Sequence, residues 1–98
     1  MNFLLVNDDG IHADGIKALA KAMSEVGDVY VCAPSTQQSG KSHSITLDEE
    51  IFVRPIEFPC AKMAWMVSGT PSDCTKVGIQ MCEANGIELD IVYSGINM

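Results

Sequence analysis

The sequence predicts an α/β architecture with a mostly parallel sheet, and three stretches carry that reading. Asn2–Val6 is a short apolar run, continuous from Phe3 to Val6, and it is closed by the turn-forming Asn7-Asp8-Asp9-Gly10. An uninterrupted run suits a strand covered on both faces, as strands of parallel sheets are. About Asp14–Val26 reads as a helix, because Ile16, Leu19, Ala20, Met23 and Val26 fall on one helical face and Gly27 follows as a stop. Val29–Ala33 is a second buried strand, ended by Pro34. Strand, helix and strand in about thirty residues make a βαβ unit.

The remaining elements follow the same logic. Pro34–His43 is rich in Ser, Gln and Gly and has no apolar face, so it is a loop. Its length is unusual inside a compact domain and points to function. Ser44–Leu47 and Ile51–Arg54 are short β segments parted by Asp48-Glu49-Glu50, Pro55 to Pro59 is irregular, and Met63–Val67 is a further strand with Trp65 in the core. A second helix starts at Gly69-Thr70-Pro71-Ser72-Asp73, with Thr70 as N-cap, Pro71 at N1 and Asp73 at N3. Its inward stripe is Cys74, Val77, Gly78, Met81 and Cys82, and Asn85-Gly86 ends it. Ile91–Tyr93 is the last strand, and it leads into Ser94-Gly95-Ile96-Asn97. Such a turn normally feeds another helix in this architecture. The pattern therefore reads as one α/β domain over residues 1–98, the N-terminal part of a longer doubly wound domain.

Composition narrows the function. A chain of 98 residues buries roughly 65% of its unfolded surface, enough for a core. Six Lys+Arg against 13 Asp+Glu give a net charge of −7, the wrong sign for a non-specific nucleic-acid binder or an anionic-lipid binder. No apolar run approaches the length of a membrane span. Met1–Asp9 lacks a basic stretch and turns acidic at once, unlike a secretory signal. Cys32, Cys60, Cys74 and Cys82 have no CxxC spacing, so they read as reduced, mostly buried thiols of a cytoplasmic protein.

Chemistry collects at the strand ends. Asp8 and Asp9 stand where the first strand ends, and open α/β sheets bind ligands beyond the carboxyl ends of their strands. Adjacent carboxylates repel, and a cation removes that cost. On these residues alone a solvated Asp-Asp-Gly turn is the simpler account of the pair. Ser39 follows the second strand and Asn97 the last. Two carboxylates, a hydroxyl and an amide form an all-oxygen set suited to Mg²⁺, Mn²⁺ or Ca²⁺ and unsuited to structural zinc. Gly40-Lys41-Ser42 is not a P-loop, since position 35 is Ser and a strand pattern follows where that motif needs a helix. Ser39, Ser42, Ser44 and Thr46 can still donate to a phosphate, aided by Lys41. His12 and His43 lie in loops near the same edge, where either could act as acid or base near neutral pH or sit simply at the surface.

Four blocks in order resemble the SurE family of metal-dependent nucleotidases. They are Asn7-Asp8-Asp9-Gly10-Ile11 with Ala13 and Gly15-Ile16; Ala33-Pro34 with Ser39-Gly40, Ser42, Ser44 and Thr46; Gly69–Cys74; and Ser94-Gly95-Ile96-Asn97. The resemblance implies a Rossmann-like three-layer sandwich that hydrolyses nucleoside 5′- and 3′-monophosphates with a divalent cation, Mg²⁺ or Mn²⁺. It implies a cytoplasmic dimer or tetramer. It implies that Asp8, Asp9, Ser39 and Asn97 hold the metal, with Asp8 and Asp9 catalytic. It implies that Asn7, Gly40, Lys41, Ser42, Ser44 and Thr46 lie near the phosphate. In the family a long C-terminal half follows the fourth block, and here the sequence stops at Met98.

The expected reaction is phosphomonoester hydrolysis by a metal-activated water, which Asp8 or Asp9 orients. The alternative is a metal- or nucleotide-binding fragment without turnover. A response-regulator receiver fits less well, because it needs an acceptor Asp after a later strand, whereas Asp28 and Asp90 precede strands.

Overall fold

The computed structural model describes residues 1–7, 10–35, 52–68 and 71–96, with the side chains of 71, 95 and 96 set aside. Its elements are β1 (Asn2–Asn7), α1 (Asp14–Ser24), β2 (Asp28–Pro34), β3 (Val53–Ile56), β4 (Met63–Val67), α2 (Pro71–Ala84) and β5 (Ile91–Ile96). The strands form one sheet in the order β3-β4-β2-β1-β5. All neighbours run parallel except β3, which pairs antiparallel with β4.

Alternation along the central strands sorts the core into two layers. Phe3 and Leu5 of β1, with Val29, Val31 and Ala33 of β2, pack against Ile16 and Ala20 of α1. Leu4 and Val6, with Tyr30, Cys32, Trp65 and Val67, pack against Cys74 and Cys82 of α2. Successive strand residues point to opposite faces, so α1 and α2 cover opposite sides of the sheet. This is the three-layer arrangement that the resemblance implied, built on the parallel strands that the unbroken apolar runs predicted.

Element boundaries moved where long-range pairing overrode local pattern. α1 ends at Ser24, not Val26, and Val26 is exposed past the last turn instead of completing the inward face. Gly27 is required by crowding: a Cβ there would meet the Met1 carbonyl oxygen and lie 2.7 Å from the Phe3 ring. β3 runs through Pro55 and Ile56, which local pattern leaves irregular. Proline is tolerated because β3 lies at the edge of the described sheet, where a missing N–H breaks no central ladder. β5 extends to Ile96, past the expected end at Tyr93, because β1 pairs with it from Phe3–Ile91 to Asn7–Ile96. Its entry is fixed by Asn2, whose backbone N–H donates to Asp90 Oδ2 at 2.7 Å and whose side-chain amide donates to the Glu88 carbonyl at 2.8 Å. The expected β segment at Ser44–Leu47, the loop residues 36–43, Ile51 and the Thr70 cap lie outside the described residues.

α2 begins at Pro71 and ends as its Asn-Gly pair predicts. Gly86 has φ +73°, its N–H donates to the Glu83 carbonyl at 3.0 Å, and the Ile87 N–H donates to the Cys82 carbonyl at 2.9 Å. These two bonds define a Schellman ending, with Ile87 packed on the same cluster as Cys82.

Three of the four thiols lie in this layer. Cys32, Cys74 and Cys82 are buried, whereas Cys60 is exposed at φ +66°. A hydrogen bond with Cys74, then burial, pushes the Cys32 thiol well above its ordinary range. Burial alone pushes Cys82 up to about 11. Stability from such a group is complete below the unfolded thiol pKa of 9.0 and is lost as pH rises through the folded value near 11. The melting temperature is therefore expected to fall between these limits, by at most about 1.4 kcal/mol of stability per pH unit per thiol. Thermal melts at stepped pH check this, and Cys82→Ala should flatten the slope.

Candidate functional site

Because β1, β2, β4 and β5 are parallel, their carboxyl ends share one edge of the sheet. The chain moves from β1 outward to β2 and β4, then crosses back to β5 on the other side of β1. The strand order reverses between β1 and β5, which is where open α/β sheets hold ligands. Asn7 stands there, paired with Ile96.

Asn7 is 1% exposed and is the buried polar side chain of the described core. Its Nδ2 donates to the Gly10 carbonyl at 2.8 Å. Only the nitrogen can donate to a carbonyl, so the contact fixes the amide's orientation. Gly10 takes φ +105°, a conformation that side chains resist. The Ala13 N–H then donates to the Gly10 carbonyl at 3.2 Å, and the Ile11 N–H donates to the Pro34 carbonyl at 2.8 Å. The Ser35 N–H donates to the Val67 carbonyl at 3.1 Å. The exits of β1, β2 and β4 are thus laced to one another by backbone bonds, which makes this edge a fixed frame.

Asn7 Oδ1 is buried without a hydrogen-bond partner among the described residues. A buried acceptor left unpaired costs about 1–3 kcal/mol. Such atoms in folded proteins call for a reason, and a binding site is one. Asn7 was expected near the phosphate. The structure buries its side chain, with its nitrogen engaged by the Gly10 carbonyl.

The other expected site residues, Asp8, Asp9, Ser39, Gly40, Lys41, Ser42, Ser44, Thr46 and Asn97, lie outside the described residues, as does His43. In sequence, Asp8 and Asp9 directly follow Asn7, Ser39 follows the β2 exit, and Asn97 directly follows Ile96. The donor set is all oxygen, and Asn7 Oδ1, a buried acceptor without a partner among the described residues, precedes it in sequence, so the chemistry of these residues fits a hard divalent cation. Among the described residues no group of three His, Cys, Asp or Glu side chains could hold a metal. His12 is exposed in the turn after Gly10.

Sequence reasoning gave Gly10 no role of its own, yet its carbonyl receives both the Asn7 amide and the Ala13 N–H. The signal was a glycine closing an Asn-Asp-Asp-Gly turn. A groove of about 510 Å³ lies elsewhere, lined by Ile79, Ile87, Leu89 and Val92 with Glu83 and Glu88. Val92 pairs with Leu4, so the groove borders the entry half of β5 and not the strand exits.

A parallel core in the order β4-β2-β1-β5, helices on both faces and a polar turn at the reversal define an α/β protein of the Rossmann type. The chain belongs to the SurE family: residues 3–98 match the family described as Survival protein SurE. It is 46% identical over 97 residues to a protein named 5′-nucleotidase SurE from Clostridium botulinum, covering 99% of this chain and 38% of that one. It is 41% identical over 98 residues to another of that name from Thermococcus gammatolerans, covering 35% of that protein. The crystal structure of the SurE protein from Aquifex aeolicus superposes with a TM-score of 0.77 at 39% identity, covering 99% of this chain and 38% of that one. The chain thus spans little more than a third of the length of these relatives. Among the described residues no helix is long and apolar enough to cross a membrane.

Proposed function

We propose that this chain carries the metal-holding and phosphate-facing part of a nucleotidase that hydrolyses nucleoside 5′- and 3′-monophosphates. The observation that carries the reading is the placement of Asn7, with an Oδ1 unpaired among the described residues, at the strand reversal and immediately before Asp8 and Asp9 in sequence. Relatives named 5′-nucleotidase SurE supply the reaction class. Asp8, Asp9, Ser39 and Asn97 would hold Mg²⁺ or Mn²⁺. When bound, such a cation supplies Lewis-acid charge at a phosphoryl oxygen and at water. Asp8 or Asp9 orients the attacking water. Hydroxyls and backbone N–H groups of the Ser39–Thr46 segment, including Gly40, Ser42 and Ser44, stabilise charge on the phosphate oxygens. Lys41 adds a positive point charge, which a chain of net charge −7 needs locally to admit a dianion. The working protein in this reading is a cytoplasmic homo-oligomer.

The alternative reading is metal or nucleotide binding without turnover. Phosphate release from AMP with Mn²⁺, run beside calorimetric titration of Mn²⁺ and AMP, separates the two. The first reading expects release that a chelator abolishes, and the second expects binding without release. Metal-independent hydrolysis, or a preference for ATP over AMP at equal metal, would overturn the nucleotidase reading.

A further inference from the structure

We propose that β5 is a docking edge for a second copy of this chain, with the two β5 strands paired antiparallel about a two-fold axis perpendicular to the sheet. The inference stands independently of the nucleotidase reading.

The two edges of the described sheet are built differently. β3, at one edge, reads Val-Arg-Pro-Ile, so it sets a charge at Arg54 and a missing N–H at Pro55. Both are devices that keep an edge strand from pairing with another chain. β5, at the other edge, reads Ile-Val-Tyr-Ser-Gly-Ile and holds neither a charge nor a proline. Its inner side pairs with β1, and among the described residues no strand pairs with its outer side. An unguarded row of backbone donors and acceptors is a template for a further strand.

Apolar side chains flank that row on both faces. Val92 is in register with Leu4 and stands on the α2 side of the sheet, whereas Tyr93 is in register with Leu5 and stands on the α1 side. Each is 38% exposed, although Leu4 and Leu5 beside them are fully buried. The two helices pack chiefly on β1, β2 and β4. On the α2 side, the groove of Ile79, Ile87, Leu89 and Val92 continues this apolar surface at the strand entry.

Charge and symmetry select the occupant. A net charge of −7 opposes the approach of two copies, and Glu83 and Glu88 rim the groove. Antiparallel pairing carries the two strand entries to opposite ends of the seam. Six residues of strand span about 20 Å, more than twice the screening length of about 8 Å at physiological salt. Each acidic rim then lies beside the uncharged exit half of the other β5, Ser94–Ile96. Parallel pairing would set rim against rim. The perpendicular axis also keeps both α1 helices on one face and both α2 helices on the other. The joined sheet ends in a guarded β3 at each side, so assembly closes at two copies.

Sedimentation of the 98-residue chain tests this, with a reductant present so that exposed Cys60 links no copies. A monomer–dimer equilibrium without larger species is expected between micromolar and millimolar concentrations, and added salt should strengthen it. Val92→Lys and Tyr93→Lys should each weaken the dimer by about tenfold or more, because a two-fold seam then holds two like charges. Val53→Lys, on the other edge, should leave it unchanged. Amide exchange at the alternate β5 residues whose N–H points away from β1 should slow by about tenfold or more as the chain is concentrated. Clumping of apolar side chains would not slow those amides. The exchange measurement needs no substitution, so it decides the matter even where circular dichroism shows that a lysine variant is unfolded. A monomer at every concentration would overturn the proposal. So would a dimer that Val53→Lys disrupts and the β5 variants do not, a dimer that leaves β5 exchange unchanged, or growth into open-ended assemblies.

Discussion

Replacing Gly78 with valine is expected to cost the fold about 3 kcal/mol or more, and Gly78→Ala about 1–2 kcal/mol. The argument is one of distance. A Cβ on Gly78 would lie 2.9 Å from Leu4 Cδ2, 3.0 Å from Cys32 Cβ and 3.1 Å from Leu4 Cδ1. Leu4 and Cys32 are both fully buried in the two central strands, so neither can swing toward solvent. The Cys32 contact involves a Cβ, which moves only with its backbone. Alanine would return up to about 1 kcal/mol through better helix propensity than glycine. That gain is smaller than the strain of pushing α2 off β1 and β2. Valine adds two methyl groups to the same crowded space and a stiffer side chain. A domain of this size has about 5–15 kcal/mol in total, so the valine variant should lose a large share of it. Urea midpoints check the order: wild type, then alanine, then valine. A stabilised alanine variant would mean that α2 stands farther from the sheet than these distances say. Gly86→Ala is the useful contrast. Nothing lies near its Cβ, so its loss comes from the positive φ alone.

Gly78 also shows what the sequence made legible. Its place on the inward stripe of α2 follows from helical spacing with Cys74 and Cys82. Spacing says that a small residue is there, but the close helix–sheet approach that demands it appears only in three dimensions. The same divide runs through the strands. β1 and β2 announced themselves because burial on both faces leaves unbroken apolar runs. β5 was legible only as far as Tyr93, since Ser94 and Gly95 have turn chemistry and become strand through pairing with β1. Pro55 reads as a breaker and is housed in β3 because an edge tolerates it. Val26 fitted the helical face by spacing and lies outside α1, because Gly27 must pass tightly beneath Met1 and Phe3. For the site, the reading rests on residue types and their order in sequence, with acids, hydroxyls and amides following strand ends, and Asp8, Asp9, Ser39 and Asn97 lie outside the described residues. The tie from Ile11 to the Pro34 carbonyl that laces two of those ends could not be read, because it is a backbone bond between segments far apart in sequence.

Asp8→Asn and Asp9→Asn are each expected to weaken Mn²⁺ and Mg²⁺ binding by about tenfold or more, since hard-cation affinity follows the charge of the oxygen ligands. Both substitutions keep size and hydrogen-bonding reach and remove one negative charge. Adjacent carboxylates raise each other's energy in the absence of a cation. Each asparagine variant should therefore be slightly more stable than wild type without metal. Wild type should gain stability as metal is added, by the logarithm of metal concentration over Kd, and the variants should gain little. The opposite signs of the two effects distinguish a cation site from a turn. Asparagine serves a solvated Asp-Asp-Gly turn as well as aspartate does, so a turn role predicts no change in either quantity. Thermal melts with and without Mn²⁺, paired with calorimetry, measure both. Equal metal affinity in wild type and both variants would remove the carboxylate pair from the metal site and leave the solvated turn as its explanation. Reduced affinity with unchanged metal-free stability would keep the pair as ligands but deny the mutual repulsion.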